Sequence, residues 1–222
     1  MRPRRWLANY TRTYIERDVR QILNVGDLET FERFLGLCAG RSGQLLSYSA
    51  LAADTGVSVP TAKRWISVLK TNFLVTVIQP HHRNFKKRMI RSPKLYVTDA
   101  GLLCYLLGIR TPEELLVYSS RGAILESFIV SELMKAYHNR VIEPPVYFWR
   151  DSAGHEIDVI IEQGENLLPL EIKSGQTVSE DMLKGLLWWN RLSCMPSRGI
   201  LIHGGDASYV RHGVHVLPWS AL

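Results

Sequence analysis

The sequence predicts a mixed α/β (α+β) protein in two parts: a basic, helical domain over residues 1–115 and an α-β-β-β-α-β domain over residues 116–222. Three observations carry this. Charge is split, with 17 Lys/Arg against 7 Asp/Glu in residues 1–109 and 10 against 14 in residues 110–222. In the first part apolar residues recur at helical spacing, as at Ala62, Trp65, Ile66 and Leu69. In the second part period-2 alternation takes over between Val146 and Lys173, interrupted by Gly164-Glu165.

A first helix is expected over residues 10–23, with Ile15, Val19 and Ile22 on one stripe and Arg12, Arg17 and Arg20 off it. Phe31, Phe34, Leu35, Leu37 and Cys38 mark a second, ending before Gly40. Ser49 stands where it can cap a short helix over Ala50–Thr55, and Gly56-Val57-Ser58 makes a tight turn. Ser58 caps the next helix, with Pro60 in the first turn, where its missing N–H costs nothing. Strands follow at Phe73–Ile78 and Lys94–Val97, separated by a segment containing Arg83, Lys86, Lys87, Arg88 and Arg91. Helix, turn, helix, strand, basic loop, strand is the order of a winged helix-turn-helix. Asp99 caps a helix that Gly108 ends, and Thr111-Pro112 opens another. The domain boundary falls between residues 110 and 120.

The second part opens with an amphipathic helix over Ala123–His138. Strands are expected at Val146–Arg150, His155–Gln163 and Asn166–Lys173. Asp151 to Gly154 form one turn and Gly164-Glu165 a two-residue hairpin loop. Ser179 caps a helix over Asp181–Leu192, in which Trp188-Trp189 reads as core. Short strands follow at Gly199–His203 and Val214–Leu217, and His212-x-x-His215 reads as a loop.

The chain has 222 residues and net charge +6, with 46% hydrophobic and 22% charged residues. That composition excludes a wholly disordered chain. The longest apolar run, Leu102–Leu107, is far short of the roughly 18 residues a membrane span needs. The first residues lack a secretory apolar core. Cys38, Cys104 and Cys194 are odd in number and scattered, which fits reduced thiols in a cytoplasmic protein. No nucleophile-elbow motif occurs.

The informative chemistry lies in the hairpin. Period 2 puts Glu156 and Asp158 on one face of their strand, and Glu171 and Lys173 share a face of the next. A two-residue loop sets Asp158 opposite Glu171 and Glu156 opposite Lys173. An ion pair explains the second pairing. The first sets like charges face to face, which is destabilising unless a cation lies between them. Hard oxygen ligands suit Mg²⁺ or Mn²⁺, held by Asp158 and Glu171, with Lys173 stabilising phosphate charge. Glu126 shares a helical stripe with apolar Ile129, Val130 and Leu133, so it is aimed toward the sheet.

Asp158, twelve residues, then Glu171-Ile172-Lys173 on a hairpin after a Glu-bearing helix resembles the PD-(D/E)xK nuclease superfamily. That resemblance assigns Asp158 and Glu171 as metal ligands, with Lys173 and Glu126 completing the catalytic set. A wider resemblance covers nearly the whole chain. Tyr14 to Val19, the Ser49–Leu69 helix pair, Lys94 to Leu102, and Phe148-Trp149-Arg150 with Glu156-Ile157-Asp158 look like the C-terminal region of bacterial and archaeal AAA+-type ATPases. The sequence departs from such proteins in lacking G-x-x-x-x-G-K-[ST], so ATP hydrolysis by these residues alone is not expected. A fragment, a truncated gene and a partner of a separate ATPase all fit that departure.

The expected function is therefore DNA binding joined to Mg²⁺-dependent phosphodiester cleavage. Lys63 and Arg64 of the second helix of the pair, and Arg83, Lys86, Lys87, Arg88 and Arg91 of the basic segment, would contact phosphates. Two other classes compete. One is a non-catalytic adaptor that oligomerises or docks on an AAA+-type ATPase. The other is a winged-helix DNA-binding regulator.

Overall fold

The computed structural model describes residues 3–14, 28–81, 90–193 and 199–221, which contain eight α-helices and nine β-strands. The chain is thus mixed α/β. It divides into two compact units, residues 1–77 with 95–127 and residues 78–94 with 128–222.

The first unit contains α1 (Pro3–Thr13), α2 (Leu28–Gly40), β1 (Gln44–Leu45), α3 (Tyr48–Thr55), α4 (Val59–Thr71), α5 (Ala100–Leu106) and α6 (Pro112–Val117). It also takes the start of β2 (Val75–Pro80), most of β3 (Lys94–Val97) and the opening turns of α7 (Arg121–His138). The helix expected over residues 10–23 lies largely outside the described residues, and α1 ends at Thr13. Cys194 and four of the basic-segment residues, Arg83, Lys86, Lys87 and Arg88, also lie outside them.

The α3–α4 pair follows the local signals closely. Ser47, not Ser49, caps α3 by accepting from the Ala50 amide, while Ser49 bonds to the Ser47 hydroxyl. Gly56 then adopts the left-handed backbone (φ +80°) that closes the helix, a conformation glycine enters without Cβ strain. Ser58 caps α4 through the Thr61 amide. Ala62, Trp65, Ile66 and Leu69 are buried, and Trp65 meets Phe31 and Phe34 edge-on with ring centroids 5.1 Å apart in each case. That arrangement suits the aromatic quadrupoles. β2 begins two residues later than the sequence suggests. Phe73 takes φ +57° to close α4, the Leu74 amide reaching back to Leu69 O and the Phe73 amide to Lys70 O.

The second unit contains the rest of α7, then β4 (Val146–Arg150), β5 (Glu156–Gln163), β6 (Asn166–Lys173), α8 (Lys184–Ser193), β7 (Ile200–His203), β8 (Tyr209–Arg211) and β9 (Val214–Pro218). Strand order is β4-β5-β6-β7-β9-β8, with the end of β2 parallel to β4. β4, β5 and β6 are antiparallel, β6, β7 and β9 parallel, and β8 is antiparallel to β9. The parallel step from β6 to β7 requires a crossover, which α8 supplies. Strand β8 escapes a pattern reading because it is three residues long with Tyr209 and Val210 exposed. His212 and Gly213 join it to β9 with φ +51° and +78°, the backbone of a two-residue hairpin turn.

Gly164 (φ +63°) opens the β5–β6 turn, and Val159 lies opposite Leu170 and Gln163 opposite Asn166. This is the register that a two-residue loop dictates. Ile157, Val159 and Ile160 are all buried, so both faces of β5 are covered. Trp149, Leu183, Leu186, Trp189 and Leu201 complete this core with Ile157 and Ile160.

Candidate active site

Adjacent strands bring three charged groups together. Asp158 sits near the start of β5, and Glu171 and Lys173 near the end of β6. Lys173 Nζ donates to Asp158 Oδ2 at 3.2 Å and to Glu171 Oε2 at 2.6 Å. The Ile172 amide donates to the same Asp158 oxygen at 2.9 Å. Glu171 is 4% exposed, so its carboxyl is nearly removed from water.

The two carboxyls respond in opposite directions. Burial would raise Asp158, but Lys173, Lys94 and the Ile172 amide outweigh it and hold its carboxyl below the ordinary aspartate value. Burial and then the Asp158 charge push Glu171 well above the ordinary glutamate value. Burial would lower Lys173, but Asp158 and Glu171 outweigh it and raise its ammonium. Like charges are thus avoided by one ionised carboxylate, one carboxyl that keeps its proton longer, and an ammonium bridging them.

Glu156 departs from the expected pairing with Lys173. Its carboxylate is ion-paired with Lys94, and Arg150 Nη1 lies 3.2 Å away. The reason is lateral: Arg150 faces Glu156 across the β4–β5 ladder, and Lys94 is itself only 3% exposed. Lys94 is thus engaged by Glu156 within the second unit. Arg91, three residues earlier, is exposed.

Glu126 lies in the first unit. It accepts from the Tyr96 hydroxyl at 2.6 Å and flanks Gly43 (φ +80°). Lys63 and Arg64 are exposed on α4, with the Lys63 ammonium 5.7 Å from the Tyr48 ring centroid.

Three features escape a reading of the sequence. Gly185, in the first turn of α8, faces Glu171: a Cβ there would stand 2.6 Å from Oε1. Asp151 is buried and accepts from the Ala153 amide, the His155 amide and the His155 ring, at 2.9, 3.0 and 2.9 Å. His155 in turn stacks on Trp188, centroids 4.2 Å apart and planes within 1°. The signal for Asp151 is its turn chemistry. Nothing in the sequence marks Gly185.

Two carboxylates are hard-oxygen donors of the kind Mg²⁺ takes, usually one or two with water and phosphate completing the shell. Among the described residues no group of three or more His, Cys, Asp or Glu converges as a metal-holding cluster. Also among them, no helix is long and apolar enough to cross a membrane.

Fold and site together define a two-unit α/β protein whose second unit presents two carboxyls and a lysine on a hairpin. The chain belongs to the family described as a domain of unknown function, DUF8612, whose model matches residues 1–113. A second domain of unknown function, DUF4143, matches residues 121–222. The latter is a C-terminal region commonly found with AAA-type ATPases. Uncharacterized proteins of Mycobacterium bovis and Mycobacterium tuberculosis are each 33% identical over 175 residues, 78% of this chain. The match spans only 38% of each relative's length. No solved structure matches.

Proposed function

We propose that the chain is a DNA-binding protein in which residues 1–115 carry a winged helix-turn-helix and residues 116–222 form a PD-(D/E)xK-type domain that cleaves phosphodiesters with Mg²⁺ or Mn²⁺. The observation that carries this is the Asp158–Glu171–Lys173 triplet: two carboxyls and an ammonium on paired strands, with Glu171 nearly buried. The donor chemistry fits a divalent cation, which would exchange for the proton that Glu171 retains.

Asp158 and Glu171 would hold the cation. When bound, it supplies charge neutralisation at the phosphate and a more acidic water. Lys173 directs its ammonium at negative charge developing on a phosphate oxygen. Lys63, Arg64 and the basic segment from Arg83 to Arg91 grip backbone phosphates without reading sequence. The match to a region common among AAA-type ATPase proteins supports action beside a separate ATPase.

The test is incubation of plasmid and linear DNA with Mg²⁺ or Mn²⁺, in parallel with Asp158→Ala and Lys173→Ala. Metal-dependent cleavage abolished in both variants supports the assignment, and cleavage that survives both removes it.

A second reading rests on the same lysine. Because Lys173 already bridges both carboxyls, the face also works as a closed ion-pair network in a non-catalytic adaptor. No Mg²⁺ binding by calorimetry, together with a stable oligomer in solution, would select it.

A further inference from the structure

A cavity of about 410 Å³ lies in the second unit, lined by His155 and Glu156 and, from α8, by Lys184, Gly185, Leu187, Trp188 and Arg191; the Glu156 carboxylate is already paired with Lys94 and Arg150. Its volume falls within the roughly 300–1,000 Å³ of small-ligand pockets. Two features give it a chemical character.

The first is helix α8, which carries two stripes. Leu186 and Trp189 face the core. Lys184, Leu187, Trp188 and Arg191, at i, i+3, i+4 and i+7, line the cavity. Its wall is thus apolar and aromatic in the middle, with a cation at each end. The Lys184 side chain is 75% exposed, though ion-paired with Asp181.

The second is a fixed aromatic plate. The His155 ring lies flat on Trp188, and Trp149 backs Trp188 at 5.2 Å. Buried Asp151 holds the His155 ring nitrogen and amide, so the imidazole is locked in its plane. With one face covered, 43% of the His155 side chain still reaches solvent. Gly185 belongs both to this cavity's lining and to the surroundings of Glu171, since a Cβ on it would stand 2.6 Å from Glu171 Oε1.

A flat ring beside two cations complements a flat ring bearing phosphate. We propose that this cavity receives one unpaired nucleobase against the His155–Trp188 stack, with backbone phosphates at Lys184 and Arg191. The substrate is then single-stranded nucleic acid, because a paired base cannot offer its face to the plate. This rests on the phosphodiesterase reading and adds its substrate form.

The experiment uses the full chain in EDTA, so that no cleavage occurs, and follows the anisotropy of a fluorescein-labelled (dT)6 and of a short duplex. The cavity variants are expected to lose affinity for (dT)6 and to keep their affinity for the duplex, which Lys63, Arg64 and the basic segment hold. His155→Ala is expected to weaken (dT)6 binding by roughly 5- to 150-fold, as removing a stacking side chain does. Lys184→Glu with Arg191→Glu is expected to weaken it further and to flatten its salt dependence. Photocrosslinking with a 5-iodouracil-substituted oligonucleotide, mapped by mass spectrometry, is expected to label His155 or Trp188. An unaltered (dT)6 affinity in His155→Ala, an equal loss of duplex affinity in that variant, or adducts confined to other residues would each overturn the proposal. Failure of the phosphodiesterase reading appears separately, as cleavage that persists in Asp158→Ala and Lys173→Ala.

Discussion

Glu171 and Gly185 are fitted to each other: a Cβ on Gly185 would stand 2.6 Å from Glu171 Oε1 and 3.2 Å from its Cδ. The glutamate cannot swing away easily, because it is 4% exposed and Lys173 holds its other oxygen at 2.6 Å. Helix propensity alone says that Gly185→Ala should stabilise α8 by about 0.5–1 kcal/mol. Overpacking of about 1–3 kcal/mol opposes it and wins. We expect Gly185→Ala to be net destabilising in urea unfolding. Gly36 is the control: it is also helical, in α2, and no atom lies within 4 Å of its would-be Cβ. Gly36→Ala should stabilise by about 0.5–1 kcal/mol. If both variants shift the same way, the fit between Gly185 and Glu171 is not what decides.

Three groups of the hairpin give stability a defined pH dependence. Glu171 is raised, so the folded state keeps a proton that the unfolded chain releases from about pH 4.3 upward. Stability must fall as pH rises through that window. Asp158 is lowered, so its contribution is full above about pH 3.9 and is lost as pH falls below that. Lys173 is raised, so its contribution is full below about pH 10.4 and is lost as pH climbs past it. Glu171→Gln removes only the first of these. Its unfolding free energy should decline less between about pH 5 and 8 than that of the unmodified chain. Parallel curves would show that Glu171 ionises normally in the folded state.

Much of this arrangement is legible in the sequence because local rules fix it. The Gly164-Glu165 loop sets the register of β5 and β6, which puts Asp158 and Glu171 on one face. Ser58, Asp99 and Thr111 cap helices for the same local reason. What escapes depends on a third neighbour. A two-residue loop alone would set Lys173 opposite Glu156, but Lys94 and Arg150 reach Glu156 from β3 and β4, and no spacing rule announces strands that meet from distant parts of the chain. Trp188 reads as core from its apolar neighbours, yet it is half-buried under His155. Gly185 is silent because its role is the absence of a side chain.

The Lys94–Glu156 pair separates structure from recognition among the basic residues. Lys94 is 3% exposed, whereas Arg91 stands in solvent. Removing one partner of a buried pair costs about 3–5 kcal/mol. Lys94→Met should fall at the lower end, because Arg150 still faces Glu156. Arg91→Ala should change stability by no more than about 0.5 kcal/mol. It should still weaken DNA binding if Arg91 touches phosphate. Chemical denaturation and a DNA titration of both variants check this, and a strongly destabilised Arg91→Ala would contradict it.

Exposed Lys63 and Arg64 on α4 give the proposed DNA binding a quantitative test. Neither side chain supports the core, since the buried face of α4 is Ala62, Trp65, Ile66 and Leu69. Lys63→Gln with Arg64→Gln should therefore leave unfolding within about 0.5 kcal/mol of the unmodified chain. Every cation withdrawn from a phosphate should reduce the slope of log affinity against log salt by about 0.9 on duplex DNA. For the double variant the slope should then drop by nearly 2, with all duplex sequences bound more weakly by the same factor. A salt slope that does not move would mean α4 packs without touching DNA. That outcome would hand the phosphates to the basic segment around Arg91 or to the cations of α8.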